Sequence, residues 1–454
     1  MRSMRVPSPI RPSGRSRRGG VVGVLAALAA VAALLAVPAA PVQARAGGLD
    51  DPFYDYTGST PLADLAPGTV LNTRTVPYSI QGLPLPITAT QLLYRTEDAL
   101  GRPVVNATTV VKPLVPLGEP KVLSYQSFYD SLNPADQPST VIAGGQGLGA
   151  GNVNVETLIF APALLAGFTI NIPDTQGQQA DFAAGPEYGV TTIDSLRAIS
   201  RSDATGVGTS AKIGLLGYSG GAIASEWAAE LVAERAPAIA RRIVGTAIGG
   251  VLVKPSTNLH YISGSQVWAG VAPMALVGIA RAYDLDLSPY VNARGRAIMK
   301  KLQNAPISQV LGFYPGLTWT DIAKKRYPTP ESVPVYVRIA NQLIMSTGGT
   351  PTSPMFIGQG TGGELEGTAA GGPGIGKGDG VMVAGDVRSL ARRYCDRGVT
   401  LQYRQYPLSH FTTVALWLPE AYGWLLQRFA GVAAPSSCGS IAAGNSLAPI
   451  SVER

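Results

Sequence analysis

Apolar and polar positions alternate early in the chain and then change period. Residues 88–94, 104–112 and 122–126 are strand-like runs, and Asp98-Ala99-Leu100-Gly101 reads as the hairpin turn between the first two. The stretch 47–75 before them, punctuated by Gly, Pro and Asp, is expected to wrap the surface without regular structure. Residues 156–165 then show helical spacing, 168–172 form a short apolar strand and 189–199 are helical again. A strand at 212–216, a helix of small and apolar residues at 222–233 and a strand at 244–250 continue the series. Alternating strand and helix predicts parallel βαβ units and a covered sheet.

The alternation stops at 254–352, which reads as helices broken by Pro and Gly, among them 267–283 and 290–301. A strand returns at 355–358, and the Gly-rich stretch 360–380 follows without periodicity. A helix at 385–397, a strand at 400–406 and a helix at 413–429 complete the pattern. The expected architecture is an α/β core in two parts, 47–253 and 353–454, with a helical insertion at 254–352 and no internal repeat.

Composition changes this picture at the N-terminus. The chain has 454 residues, 46% apolar and only 14% charged, which excludes disorder. Its net charge of +7 belongs to residues 1–46, which hold seven arginines and no acid, so residues 47–454 are neutral. No basic surface remains to attract nucleic acid. The leader reads as a cleaved export signal: a basic segment, the apolar run 21–37, then small residues in Val42-Gln43-Ala44 and Ala44-Arg45-Ala46. Localisation is therefore expected to be extracellular. In an exported chain the two cysteines, Cys395 and Cys438, are expected to form a disulfide.

The chemistry centres on Gly217-Tyr218-Ser219-Gly220-Gly221, a G-x-S-x-G pattern between a strand run and a helix start. A serine on such a strained turn points its hydroxyl out of the sheet, and flanking glycines keep Cβ atoms away. Ser219 is the expected nucleophile. Its hydroxyl needs a base, and the chain has two histidines. The order nucleophile, acid, base favours His410, between the last strand and last helix, and leaves His260 as a residue of the insertion. Glu364, Glu366, Asp379 and Asp386 follow the returning strand. Asp379, before a short apolar run, is the preferred acid; Glu364 and Glu366 stay open, and Asp386 is expected to be an exposed first-turn acid. The oxyanion is expected to meet the N–H of Gly220 and, from the loop Ser127-Phe128-Tyr129-Asp130, the backbone N–H of Asp130. This chemistry needs neither metal nor cofactor.

Several blocks together resemble the secretory lipase family of the yeast lipase A type, which has actinobacterial members. They are Ala89 to Thr96, Ser124-Tyr125-Gln126 with Asp130, Pro173-Asp174 with Gly177, Ala184-Gly185 with Asp194 and Arg197-Ala198, Gly217 to Gly221, and Ser409-His410. The resemblance implies an α/β-hydrolase core with a helical cap and cofactor-free hydrolysis of acylglycerols or other carboxylic esters. It carries over Ser219, His410, Gly220 and Asp130, and supports Asp379. Here the pattern departs: a Gly-rich insertion, 361–377, separates the strand from Asp379. The cap's apolar residues, Trp268 and Met274 among them, are expected to line an acyl tunnel. An acyltransferase using the same acyl-enzyme is the alternative reading, and a non-catalytic binding protein on this scaffold a distant one.

Overall fold

The expected strands become one nine-stranded sheet in the computed structural model, which describes residues 49–453. The strands are β1 (Val70–Ile80), β2 (Leu83–Glu97), β3 (Pro103–Val111), β4 (Lys121–Gln126), β5 (Thr169–Pro173), β6 (Lys212–Tyr218), β7 (Ile243–Gly249), β8 (Met355–Gly360) and β9 (Leu401–Tyr406). Their order is β1-β2-β3-β5-β4-β6-β7-β8-β9. β1, β2, β3 and β5 pair antiparallel in turn, and every pair from β5 through β4 to β9 is parallel. The expected export signal lies outside the described residues.

β1 was not expected. Residues 70–75 lie in the stretch read as irregular, yet Val70 to Ile80 pair with β2. An edge strand leaves one side of its ladder unpaired and so tolerates Pro77, where an inner strand would not, while Val76, Tyr78 and Ile80 face the core. The preceding segment does wrap, tucking Phe53 and Tyr54 against the fold with the Arg74 guanidinium 4.0 Å over the Phe53 ring.

Helices cover both faces, as a mostly parallel sheet requires. The long helices are α1 (Ala150–Leu165), α2 (Gly185–Arg201), α3 (Gly220–Arg235), α4 (Pro255–Ile262), α5 (Val271–Ala282), α6 (Ala293–Leu302), α7 (Pro334–Gln342), α8 (Ala384–Asp396) and α9 (His410–Phe429). α1 and α9 pack around Phe160, Trp417 and Trp424 on one core cluster, while α3 and α8 share another around Trp227 and Tyr394. Between β7 and β8 run α4 to α7, shorter than expected: α5 starts at Val271 and α6 at Ala293, where the Asn292 side chain accepts the Gly295 N–H. The apolar faces of α4, α5 and α6 meet Phe182, Trp268 and Val383 in a separate cluster. Among the described residues no helix is long and apolar enough to cross a membrane.

Cys395 and Cys438 form the expected disulfide, tying the end of α8 to the C-terminal tail. The cross-link spans 43 residues of sequence. Replacing both cysteines with serine should lower the free energy of unfolding by about 4 kcal/mol at most, as measured by urea denaturation.

Candidate active site

Strand β6 ends at Tyr218 and helix α3 begins at Gly220, so Ser219 alone makes the turn, at φ 54° and ψ −121°. A non-glycine residue adopts this conformation only when its surroundings impose it. Here they do. A Cβ on Gly217 would lie 2.0 Å from the Gly221 carbonyl oxygen, and one on Gly221 would lie 2.0 Å from that of Gln126. The Ser219 N–H donates to the Gly249 carbonyl at 2.9 Å, fixing the turn to β7.

Three side chains distant in sequence converge at this turn. Ser219 Oγ lies 2.8 Å from His410 Nε2, and His410 Nδ1 lies 2.8 Å from Asp379 Oδ2. Because the carboxylate accepts, Nδ1 carries the proton and Nε2 is left to accept the serine hydroxyl. His410 is the first residue of α9, three residues before the helix expected from sequence. Ser409 caps this earlier start in a reciprocal box with Thr412. The Tyr218 hydroxyl donates to the His410 carbonyl at 2.6 Å. Gly250, at φ 60°, leaves room for the ring: a Cβ there would lie 2.6 Å from Cε1 of His410.

Asp379 is fully buried and held from several sides. Its Oδ1 accepts the N–H groups of Val381 and Met382 at 3.1 and 2.7 Å, and Gln359 Nε2 donates to Oδ2 at 2.9 Å. Its carbonyl accepts the His410 N–H at 2.7 Å. Of the other candidate acids, Glu364 is exposed and Glu366 binds the N–H groups of Trp268 and Phe411. Asp386 opens α8 as expected but is buried, not exposed, because Asn445 of the tail folds over it and donates to Oδ1 at 2.8 Å. Burial lifts the Asp386 pKa to about 6. His260 stands apart from this group, 2.9 Å from Glu331 Oε1.

Asp130 and Gly220 meet beside Ser219. Asp130 has φ 35°, and its carboxyl sits so close over Gly220 that a Cβ there would lie 2.0 Å from Oδ1. Gln176 Nε2 donates to that oxygen at 3.3 Å, while the Asp130 carbonyl accepts the Ile307 N–H at 2.8 Å. Burial pushes the Asp130 pKa up to about 7. Burial disfavours charge on His410, but Asp379, Glu366 and Asp130 outweigh it and hold its pKa above the ordinary value. The Gly220 N–H opens a helix and points where no helical carbonyl can reach it. From Ser219 a pocket of about 1290 Å³, open space at its mouth included, runs among α4, α5 and α7, past Ile223, Leu259, Val271, Ala275 and Ile339.

Trp268 lines the pocket as expected, whereas Gln359, Gln176 and Tyr218 shape the site but were not singled out from sequence for that role. Gln359 carried a signal, a lone polar residue between two glycines at a strand end. Gln176 carried none, and neither did the bond of Trp268 to Glu366, because the partners are remote in the chain. The crowding at Gly217 predicts that Gly217→Ala destabilises the fold by about 1–3 kcal/mol. Gly423→Ala, in α9 with nothing within 4 Å, should stabilise it by about 0.5–1 kcal/mol. Thermal unfolding of the two variants measures both.

The sequence pattern of the secretory lipase family matches residues 145–370. Lipase 10 of Candida albicans is 28% identical over 408 residues, covering 86% of this chain and 84% of that protein. A Mycobacterium tuberculosis protein named a probable inactive lipase is 28% identical over 389 residues, covering 84% and 82%. The crystal structure of Candida antarctica lipase A in its closed state aligns with a TM-score of 0.74 and 26% identity, over 87% of this chain and 90% of that one.

Proposed function

From the premise that this chain belongs to the secretory lipase family and has the α/β-hydrolase fold, we propose that it is an exported serine hydrolase of lipid carboxylic esters. The observation that carries this reading is the run of contacts from Ser219 Oγ through His410 to Asp379, each 2.8 Å long, at the end of an apolar pocket. The family supports ester hydrolysis. The basic, apolar leader and the disulfide support export. One relative bears the name of an inactive lipase, whereas this chain keeps all three reacting side chains within hydrogen-bond reach.

Ser219 attacks the ester carbonyl as His410 Nε2 takes its proton, and Asp379 holds the imidazolium. The oxyanion forms beside the Gly220 N–H and the Asp130 carboxyl. With a pKa of about 7, that carboxyl is about half protonated at pH 7, and in that form it donates its own O–H, in addition to the backbone contact expected from sequence. His410 returns the proton to the leaving alcohol, and water then releases the acyl group from Ser219 by the same steps in reverse. The acyl chain lies in the pocket under α4, α5 and α7, with residues 254–352 acting as its cap.

Ser219→Ala should reduce release of p-nitrophenol from p-nitrophenyl esters to background in a folded protein. Asp379→Asn should lower kcat about 10⁴-fold by losing the tautomer that leaves Nε2 free. Full activity of either variant would overturn these roles.

The pH profile tests the two titrating groups. Protonated His410 cannot accept the serine proton, so kcat/KM should rise with pH through a midpoint above the ordinary histidine value. Asp130 loses its donor as it ionises, so the rate should fall again as pH rises beyond about 7. In Asp130→Asn, which keeps an N–H donor and cannot ionise, the rising limb should remain and the fall should vanish.

A further inference from the structure

Between β8 and Asp379 the Gly-rich excursion contains one short 3-10 turn, Gly363–Glu366. The excursion is pinned to the loop it leads into: the Gly363 N–H donates to the Gly378 carbonyl at 2.9 Å, and Thr368 Oγ1 donates to the Gly380 carbonyl at 2.7 Å. Its one buried acid is Glu366, at 8% exposure, and both carboxylate oxygens are engaged. Oε2 accepts the indole N–H of Trp268 at 2.8 Å, and Oε1 accepts the backbone N–H of Phe411 at 2.8 Å.

Each partner adjoins the base. Phe411 follows His410 in the first turn of α9. Trp268 belongs to the helical insertion and lines the pocket. Its ring stands edge-on to the His410 imidazole, 5.2 Å between centroids, and stacks on Phe411 at 5.0 Å. One carboxylate thus binds a pocket wall to the helix that carries the base. A loop that merely joined β8 to Asp379 would not need a buried charge, which costs desolvation free energy unless its partners are well placed.

We propose that Glu366 is a positioning residue of the site, locking Trp268 and the first turn of α9 around His410 and stabilising the imidazolium that forms in each proton transfer. The proposal rests on the roles assigned above to Ser219 and His410. The titratable acids facing His410 are Asp379 at Nδ1, Glu366 from the excursion and Asp130 from the loop after β4, and each in its ionised form favours the protonated imidazole against burial. Tyr218 from β6 adds no charge: its neutral hydroxyl donates to the backbone carbonyl, and its ring lies 5.1 Å from the imidazole, centroid to centroid. Removing the Glu366 charge therefore lowers the basicity of His410.

The test is the pH dependence of kcat/KM of the mature chain on a soluble short-chain p-nitrophenyl ester, with active sites counted by an organophosphonate that labels Ser219. In Glu366→Gln the acidic limb should move to lower pH by about half a unit or more. The two N–H groups meet different oxygens, one of which Gln replaces with an NH2 group, so kcat at the optimum should also fall, by about tenfold. Glu366→Asp, which keeps the charge, should return the limb toward its wild-type position. Should labelling reveal little folded Glu366→Gln, the smaller neutral Glu366→Ala carries the same expectation. An acidic limb that coincides with wild type in the neutral variant overturns the proposal. A wild-type chain that hydrolyses no ester, or an active Ser219→Ala, instead overturns the reading on which it rests.

Discussion

The whole site depends on one steric constraint, the crossing of β6 and α3 at Ser219. The backbone passes so close to Gln126 and to itself that Gly217 and Gly221 admit no side chain. The turn forces Ser219 to φ 54°, a strain the neighbouring strands must hold in place. β4 and β7 flank β6 in parallel and supply that hold, with Gly249 of β7 accepting the Ser219 N–H. The hydroxyl is thereby presented at the carboxyl ends of the strands, where the loops after β4, β8 and β9 bring their own residues.

Those loops are assembled around buried carboxyl groups that meet different numbers of donors. Asp379 is surrounded by four donors, two backbone N–H groups, the Gln359 amide and the His410 ring. Asp130 has one long contact from Gln176, so burial wins and its pKa rises to about 7. Glu156, which accepts the hydroxyl of Ser127 from the same loop after β4, is pushed to about 8. Where donors are few, burial keeps the carboxyl in its neutral form to higher pH, as at Asp130 and Glu156. This follows from placement, since an aspartate carries the same intrinsic acidity in either loop.

Much of the core was legible because it is local. The change from alternating to helical spacing located β2, β3, β4, β6 and α3, and the G-x-S-x-G turn placed Ser219 between strand and helix. β1 was hidden because residues 72–75 are polar and lie in the Gly-, Pro- and Asp-punctuated stretch, and only Val76, Tyr78 and Ile80 alternate onto the core, around Pro77. The start of α9 was missed because Ser409 and Thr412 cap it through side chains, ahead of the periodic apolar residues. Asp386 was misjudged for the opposite reason: its helix position was clear, but the Asn445 that buries it lies 59 residues on.

By itself the sequence determined the order of the elements, the turn at Ser219, the shortage of histidines that singled out His410, and the disulfide between the two cysteines. Each is a property of one segment or of a count. Only the tertiary structure decided which of four acids reaches His410, that Glu366 braces Trp268 and α9, and which carboxyl groups burial keeps protonated. Those outcomes depend on distances between loops from different strands, and on desolvation by residues far along the chain. No local pattern encodes either.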